Sequence, residues 1–174
     1  LSSQGLKASL DSYLDSLAQT EKSEPNLIQV QFNVVLQQVE QSISALIQSA
    51  NATITCDFSE IEYTQYNHSY LESIFLNLIT NSIKYAKPET FPQITIVTKL
   101  DGENKKLIYS DNGLGFDMNV VGDKIFNLNQ RFHDNSDSKG VGLYLVHNHV
   151  TSLGGSISVD SKVNGGTTFT ICFK

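Results

Sequence analysis

Tryptophan is absent from these 174 residues, methionine occurs once, cysteine twice and proline three times. The two cysteines, Cys56 and Cys172, stand far apart. That excludes a disulfide-stapled small domain and a zinc site built on closely paired thiols. Both read as buried thiols of a reducing compartment. No apolar run approaches the roughly 20 residues that cross a bilayer, and no signal-peptide pattern is present, so no membrane contact is expected from this stretch. Positive charge is scarce, with 12 Lys and Arg against 18 Asp and Glu. A net charge of −6 argues against a nucleic-acid-binding face, while leaving room for a few cations around one anion. Neither G-x-x-x-x-G-K-[ST] nor a G-x-G-x-x-G after a strand occurs, which excludes a P-loop and a dinucleotide fingerprint.

Apolar residues, by contrast, make up 40% of the chain, enough for the core of one ordinary domain. The chain opens LSSQGLK, without an initiator methionine. It reads as a fragment whose parent protein holds any membrane segment elsewhere.

Leu6, Leu10, Tyr13, Leu14 and Leu17 repeat as one face of a helix over 1–22. Pro25 breaks it. A short strand is expected at 30–32, then a helix over 34–50 capped by Asn33, then a strand over 52–58. Ser69 and Glu72 have capping-box spacing, so a helix starts near Ser69 and stops at Pro88. Strands 93–100 and 105–111 flank a turn at Asp101-Gly102. Residues 112–139 read as irregular. A helix over 141–153 ends at Gly154-Gly155, and strands 156–162 and 167–173 join through Asn164-Gly165. This order predicts an α/β (α+β) two-layer sandwich, one mixed and largely antiparallel sheet with helices on one face.

Three segments carry chemistry. In FLNLITNSIKYAKPE, over 75–89, the residues Asn77, Asn81 and Lys84 fall within about 60° on a helix whose steps are about 100°. They flank an apolar face of Leu71, Ile74, Phe75, Leu78, Ile79 and Ala86. Taken alone, such a stripe also suits a plain boundary helix. Asp111-Asn112-Gly113-Leu114-Gly115 follows a strand. Its carboxylate can accept from an exocyclic amine, and its glycines let a flat ligand approach; a simple glycine turn has the same form. Gly140-Val141-Gly142-Leu143 opens a helix, whose N-terminal amides bind phosphate. A flexible helix entry is the plainer alternative.

Together and in this order, the segments resemble the ATP-binding catalytic domain of bacterial sensor histidine kinases. That domain has the Bergerat ATP-binding fold, shared with gyrase-type, heat-shock-chaperone and mismatch-repair ATPases. The resemblance spans 27–174, with a lid at 117–139, and makes 1–22 the end of a dimerisation-domain helix. It implies that Asn81 supplies oxygen to Mg2+, with Asn77 beside it, and that Lys84 contacts phosphate. Tyr85 would line the pocket. Asp111, Gly113 and Gly115 would read the adenine amine, with Thr167 beside the acid. Gly140, Gly142 and Leu143 would seat the phosphates, and Arg131 would neutralise their charge. Lys139 is equally a phosphate contact or a solvated lid charge. Ile125-Phe126 matches the lid's aromatic box, but its second aromatic position is Asn129, with Phe132 next to Arg131 as a substitute.

The related ATPases usually carry a glutamate four residues before the metal-binding asparagine, to activate water. Asn77 has no such basicity. The resemblance therefore implies phosphoryl transfer from ATP to a histidine, a reaction resting on positioning and charge neutralisation. His68, His133, His147 and His149 read as structural or surface residues. The acceptor is expected on a dimerisation bundle, in the same protein or a dimer mate. A response-regulator receiver domain lies downstream, and the full protein is expected to be a homodimer, cytoplasmic or anchored in the inner membrane. A stand-alone ATPase and a non-catalytic nucleotide-binding module are the other readings.

Overall fold

The structure is a computed structural model and describes residues 26–127 and 141–174. The helix expected over 1–22, and the calls on Asn129, Arg131, Phe132, His133, Lys139 and Gly140, lie outside the described residues.

Strand β1 (Ile28–Gln31) runs directly into helix α1 (Phe32–Ser42), followed by α2 (Ser44–Ser49). This corrects the single helix expected over 34–50. Asn33 does not cap it: Gln31 is the boundary residue, and Phe32 N–H donates to the Glu62 carbonyl at 3.0 Å, so backbone does the cap's work. The break falls at Ile43, where the Ser42 hydroxyl donates to the Val39 carbonyl at 2.7 Å and competes with the helical ladder.

Strands β2 (Thr53–Asp57) and β3 (Tyr63–Tyr66) lead to helix α3 (His68–Lys84). The four-residue β3, unread in the sequence, pairs with β1 in a small antiparallel sheet. Helix α3 is capped by Asn67, whose Oδ1 accepts from Tyr70 N–H at 3.0 Å. The expected Ser69 lies inside the helix, a correction: the first-turn N–H of Tyr70 is answered by Asn67, two residues before Ser69. The helix ends at Lys84, so Ala86 is not part of it.

Strands β4 (Gln93–Asp101) and β5 (Asn104–Asp111) pair Asp101 with Asn104. Their turn is Gly102-Glu103, one residue later than expected, with Gly102 at φ +60. Helix α4 (Met118–Val121) and a 3-10 turn (Gly122–Phe126) occupy part of the segment expected to be irregular. Asp117 caps α4 through Asn119 N–H at 2.9 Å, and Val121 and Ile125 are buried. Helix α5 (Gly142–Thr151) and strands β6 (Ser156–Lys162) and β7 (Gly166–Phe173) complete the order.

The main sheet has the order β2-β4-β5-β7-β6. Only β2–β4 is parallel; the other pairs are antiparallel. The mixed, largely antiparallel sheet is as expected. Ile94, Ile96, Leu107, Tyr109, Phe169 and Ile171 alternate onto its buried face, and α1, α3 and α5 close over them in one core. Cys56 is exposed and Cys172 half-buried, both free. Cys172 alternates away from the core face of β7, whereas Cys56 lies in register with Ile96 but on the edge strand β2, where it stays open to solvent; this corrects the expectation of buried thiols.

Candidate functional site

The strand register sets Ile94, Asp111, Thr167 and Ser161 side by side on the inner face. Asp111 ends β5, so its carboxylate stands where the sheet gives way to a loop. Its Oδ1 accepts from the N–H groups of Gly113 at 2.9 Å and Thr167 at 3.2 Å. Its Oδ2 accepts from the Ser82 hydroxyl at 2.7 Å. A hydroxyl has one proton, so Ser82 in turn accepts from the Tyr109 hydroxyl at 2.8 Å. Tyr109 is fully buried, and burial pushes its phenol well above the ordinary value. A carboxylate offers about four lone-pair sites, so Asp111 keeps capacity for one more donor. Thr167, also buried, shares a hydrogen bond with Ser161 at 3.0 Å.

The loop after Asp111 is pinned to the end of α3, where Leu114 N–H donates to the Tyr85 carbonyl at 2.9 Å. A Cβ on Gly113 would stand 2.8 Å from that same oxygen. Gly115 sits at φ +58, and a Cβ there would meet the Lys162 carbonyl at 2.2 Å. Both positions need glycine for steric reasons.

The polar stripe of α3 runs from core to solvent. Asn77 is 2% exposed, Asn81 is half-buried and Lys84 exposed, with its ammonium 5.4 Å from the Tyr85 ring centroid. The Asn77 amide nitrogen donates to the Ser73 carbonyl at 2.8 Å and to the Ser73 hydroxyl at 3.3 Å. A carbonyl only accepts, which fixes the amide orientation and leaves Oδ1 on the other side. There a Cβ on Gly142 would stand 2.7 Å from Asn77 Oδ1 and 3.7 Å from Asn81 Nδ2. Among the described residues nothing donates to Asn77 Oδ1. A buried, unanswered oxygen costs about 1–3 kcal/mol, so this one is set for a cation or a water. No side chain caps α5, so its first-turn amides face the same space. Leu143, partly buried, packs against the core.

Among the described residues no group of three His, Cys, Asp or Glu could hold a metal. A hard ion that takes amide and phosphate oxygens does not require one. The asparagine pair and the glycine seat fit such an ion.

Helix α3 thus joins two ends of one site. Asn77, Asn81 and Gly142 form one end; Tyr85, Asp111, Gly113, Gly115 and Thr167 form the other. Five residues from Asn77 to Ser82 separate them by about 7.5 Å of helical rise. Sequence reading missed Ser73, Ser82, Tyr109 and Ser161, while His149, read as structural or surface, is buried and stacked on Tyr70. Of these, only Ser82, next to Asn81, and Tyr109, two before Asp111 on the same strand face, had a local signal. His68 shares a hydrogen bond with Gln38 at 3.0 Å, and the His147 ring lies 5.3 Å from that of Phe126.

The family described as "Histidine kinase-, DNA gyrase B-, and HSP90-like ATPase" matches residues 67–174. The chain belongs to this family. As a member of this ATPase family it has a relative in the signal transduction histidine-protein kinase ArlS of Staphylococcus haemolyticus. The two are 34% identical over 113 residues, 63% of this chain and 24% of that protein. It is also similar to the heme sensor protein HssS of Staphylococcus saprophyticus, 32% identical over 143 residues, 79% of this chain and 30% of that protein. The chain therefore spans about a quarter to a third of these relatives. Among solved structures, full-length ShkA in complex with AMPPNP matches 95% of this chain and 35% of its own, with TM-score 0.75 and 21% identity. The Acinetobacter baumannii histidine kinase AdeS matches 96% of this chain and 76% of its own, with TM-score 0.71 and 20% identity. These likenesses show the histidine-kinase catalytic-domain fold. No helix among the described residues is long and apolar enough to cross a membrane.

Proposed function

We propose that this chain is the catalytic domain of a two-component sensor histidine kinase. It binds Mg·ATP and passes the γ-phosphoryl group to a histidine on a dimerisation helical bundle. Residues 27–174 form the nucleotide-binding unit, with the lid at 117–139, and 1–22 end a helix of that bundle. The bundle belongs to the same protein or to its mate in a homodimer, and a receiver domain takes the phosphoryl group onward. The full protein works in the cytoplasm, free or anchored in the inner membrane.

The observation that carries this reading is the junction of three groups along one helix: the Asp111 carboxylate, the Asn77–Asn81 amides and the Gly142 backbone. Asp111 accepts from the adenine amine, held still by Ser82, Gly113 and Thr167. Asn81 would hold Mg2+ with its amide oxygen and Asn77 Oδ1 would support it from the buried side; a bound ion would supply charge neutralisation for the phosphates. Gly140, Gly142 and Leu143 seat the phosphates on α5, while Lys84, Arg131 and Lys139 supply positive charge. Tyr85 lines the pocket. Asn77 stands where a water-activating carboxylate would be needed for hydrolysis, so the site favours transfer over ATPase turnover.

Calorimetric titration with a non-hydrolysable ATP analogue, with and without Mg2+, tests binding. Mixing the chain with [γ-32P]ATP and a histidine-bearing dimerisation bundle tests transfer. Binding, little free turnover and an acid-labile labelled bundle are expected. Absence of binding sinks the reading, and fast turnover abolished by Asn81→Ala would replace it with a stand-alone ATPase.

A further inference from the structure

A hydrogen-bonded path lies behind the metal end of the site. Gly142 and His149, seven residues apart on α5, are separated by about two helical turns and face the same way. Asn77 and Ser73, one turn apart on α3, face back at them. Gly142 abuts Asn77, and His149 Nε2 lies 3.1 Å from the Ser73 hydroxyl. The two antiparallel helices therefore touch through two rungs. The Ser73 hydroxyl accepts from the Asn77 amide at 3.3 Å, and with its remaining capacity it can bond the imidazole. His149 is itself held firmly. It is 2% exposed, its ring stacks on Tyr70 at 4.3 Å between centroids, and its carbonyl accepts from the Tyr66 hydroxyl at 2.8 Å. Ser73 has no exposure at all. A polar chain sealed in a core otherwise made of Ile and Leu is costly to build unless every member is satisfied.

We infer that His149 is a positioning residue for the nucleotide site: through Ser73 it holds the Asn77 amide with Oδ1 turned toward the α5 N-terminus. It touches neither nucleotide nor ion. It acts by fixing the rotation of an amide that would otherwise lose one of its two anchors, and by setting the α3–α5 spacing at the phosphate end. The inference rests on the magnesium-holding role proposed above for that end.

The test is titration of the whole chain with a non-hydrolysable ATP analogue, with and without Mg2+, alongside adenosine. Wild type is compared with His149→Leu, His149→Gln and Ser73→Ala. The readout is the ratio of the analogue's affinities with and without the ion. Residues that orient metal ligands are worth about 10- to 100-fold in metal affinity, so His149→Leu and Ser73→Ala should cut this ratio about tenfold while adenosine affinity moves by less than about twofold. In His149→Gln the terminal amide falls near the site of Nε2 and should restore most of the ratio. An undiminished ratio in His149→Leu overturns the inference, and where that variant does not fold, Ser73→Ala decides alone. Equal losses for adenosine and analogue, or a glutamine variant as weak as the leucine one, also overturn it. A wild type that binds the analogue without help from Mg2+ instead overturns the metal assignment beneath it.

Discussion

Gly142 and His149 show how much one atom decides on the α5 face. In Gly142→Ala the new methyl would stand 2.7 Å from Asn77 Oδ1, closer than any relaxed contact. Asn77 cannot swing aside without giving up its bonds to Ser73. Alanine is otherwise the better helix former by roughly 0.5–1 kcal/mol. The expected outcome is a chain that unfolds within about 1 kcal/mol of wild type yet loses most of its Mg·ATP affinity, measured by urea melts and calorimetry on the same sample. His149 offers a test in pH. Burial holds its imidazole down at about 4 against an ordinary 6.5. As pH falls, the unfolded chain takes up this proton first. The contribution of neutral His149 is thus complete above pH 6.5 and drains away toward pH 4, by about 3 kcal/mol at most. Urea melts at pH 7.5, 6 and 5 should show wild type losing more stability than His149→Gln. Parallel pH profiles would reject a buried neutral ring.

Among the elements, α3 carries most of the site, and its start is set by one side chain. Removing the Asn67 cap with alanine should cost about 1 kcal/mol, whereas Ser69→Ala, inside the helix, should move the melting curve very little. Equal effects would mean that the helix begins at Ser69 after all. The same helix shows what could be read in advance. Gly113, Gly115 and Gly142 were legible because close approach is a local demand that only glycine meets. Asn77, Asn81 and Lys84 were legible because helical spacing alone puts them on one edge. Their different depths were not legible. Tyr70 to Ile79 is buried almost all round, since α1, α5 and the sheet surround the helix, and that enclosure comes from residues far along the chain. The partners of the site were hidden for the same reason. Ser82 meets Tyr109 across 27 positions and Ser73 meets His149 across 76, and no local pattern marks either pair. Short elements failed too. Strand β3 has four residues, and the break at Ile43 follows from a serine hydroxyl bonding backward, which periodicity does not register.

At the scale of the whole molecule, β7 links two unlike ends. Phe173 lies in an aromatic cluster with Phe32 and Tyr66, at 5.6 and 5.1 Å between centroids, while Thr167 at the start of β7 borders the site. Seven residues of strand from Gly166 to Phe173 set these ends about 23 Å apart, so packing and binding can be perturbed separately. The site end is where sheet, α3 and α5 meet, through Ser82 on Asp111 and Gly142 on Asn77, and among the described residues nothing answers Asn77 Oδ1. A ligand that bridges the three elements binds the folded chain alone and must stabilise all of it together. At one hundred times its dissociation constant, a nucleotide should add about 2.7 kcal/mol. For a chain of this size that is roughly 5–11 °C in melting temperature. A thermal shift of that size is expected with Mg·ATP, a smaller one with ATP and EDTA, and almost none with GTP, which presents a carbonyl where Asp111 needs a donor. Asp111→Asn should erase the difference between ATP and GTP while the unliganded melting point stays close, because the amide can retain part of the loop's hydrogen bonding. Equal shifts for both nucleotides in wild type would remove Asp111 from its assigned role and leave binding to the phosphate and metal end of the site.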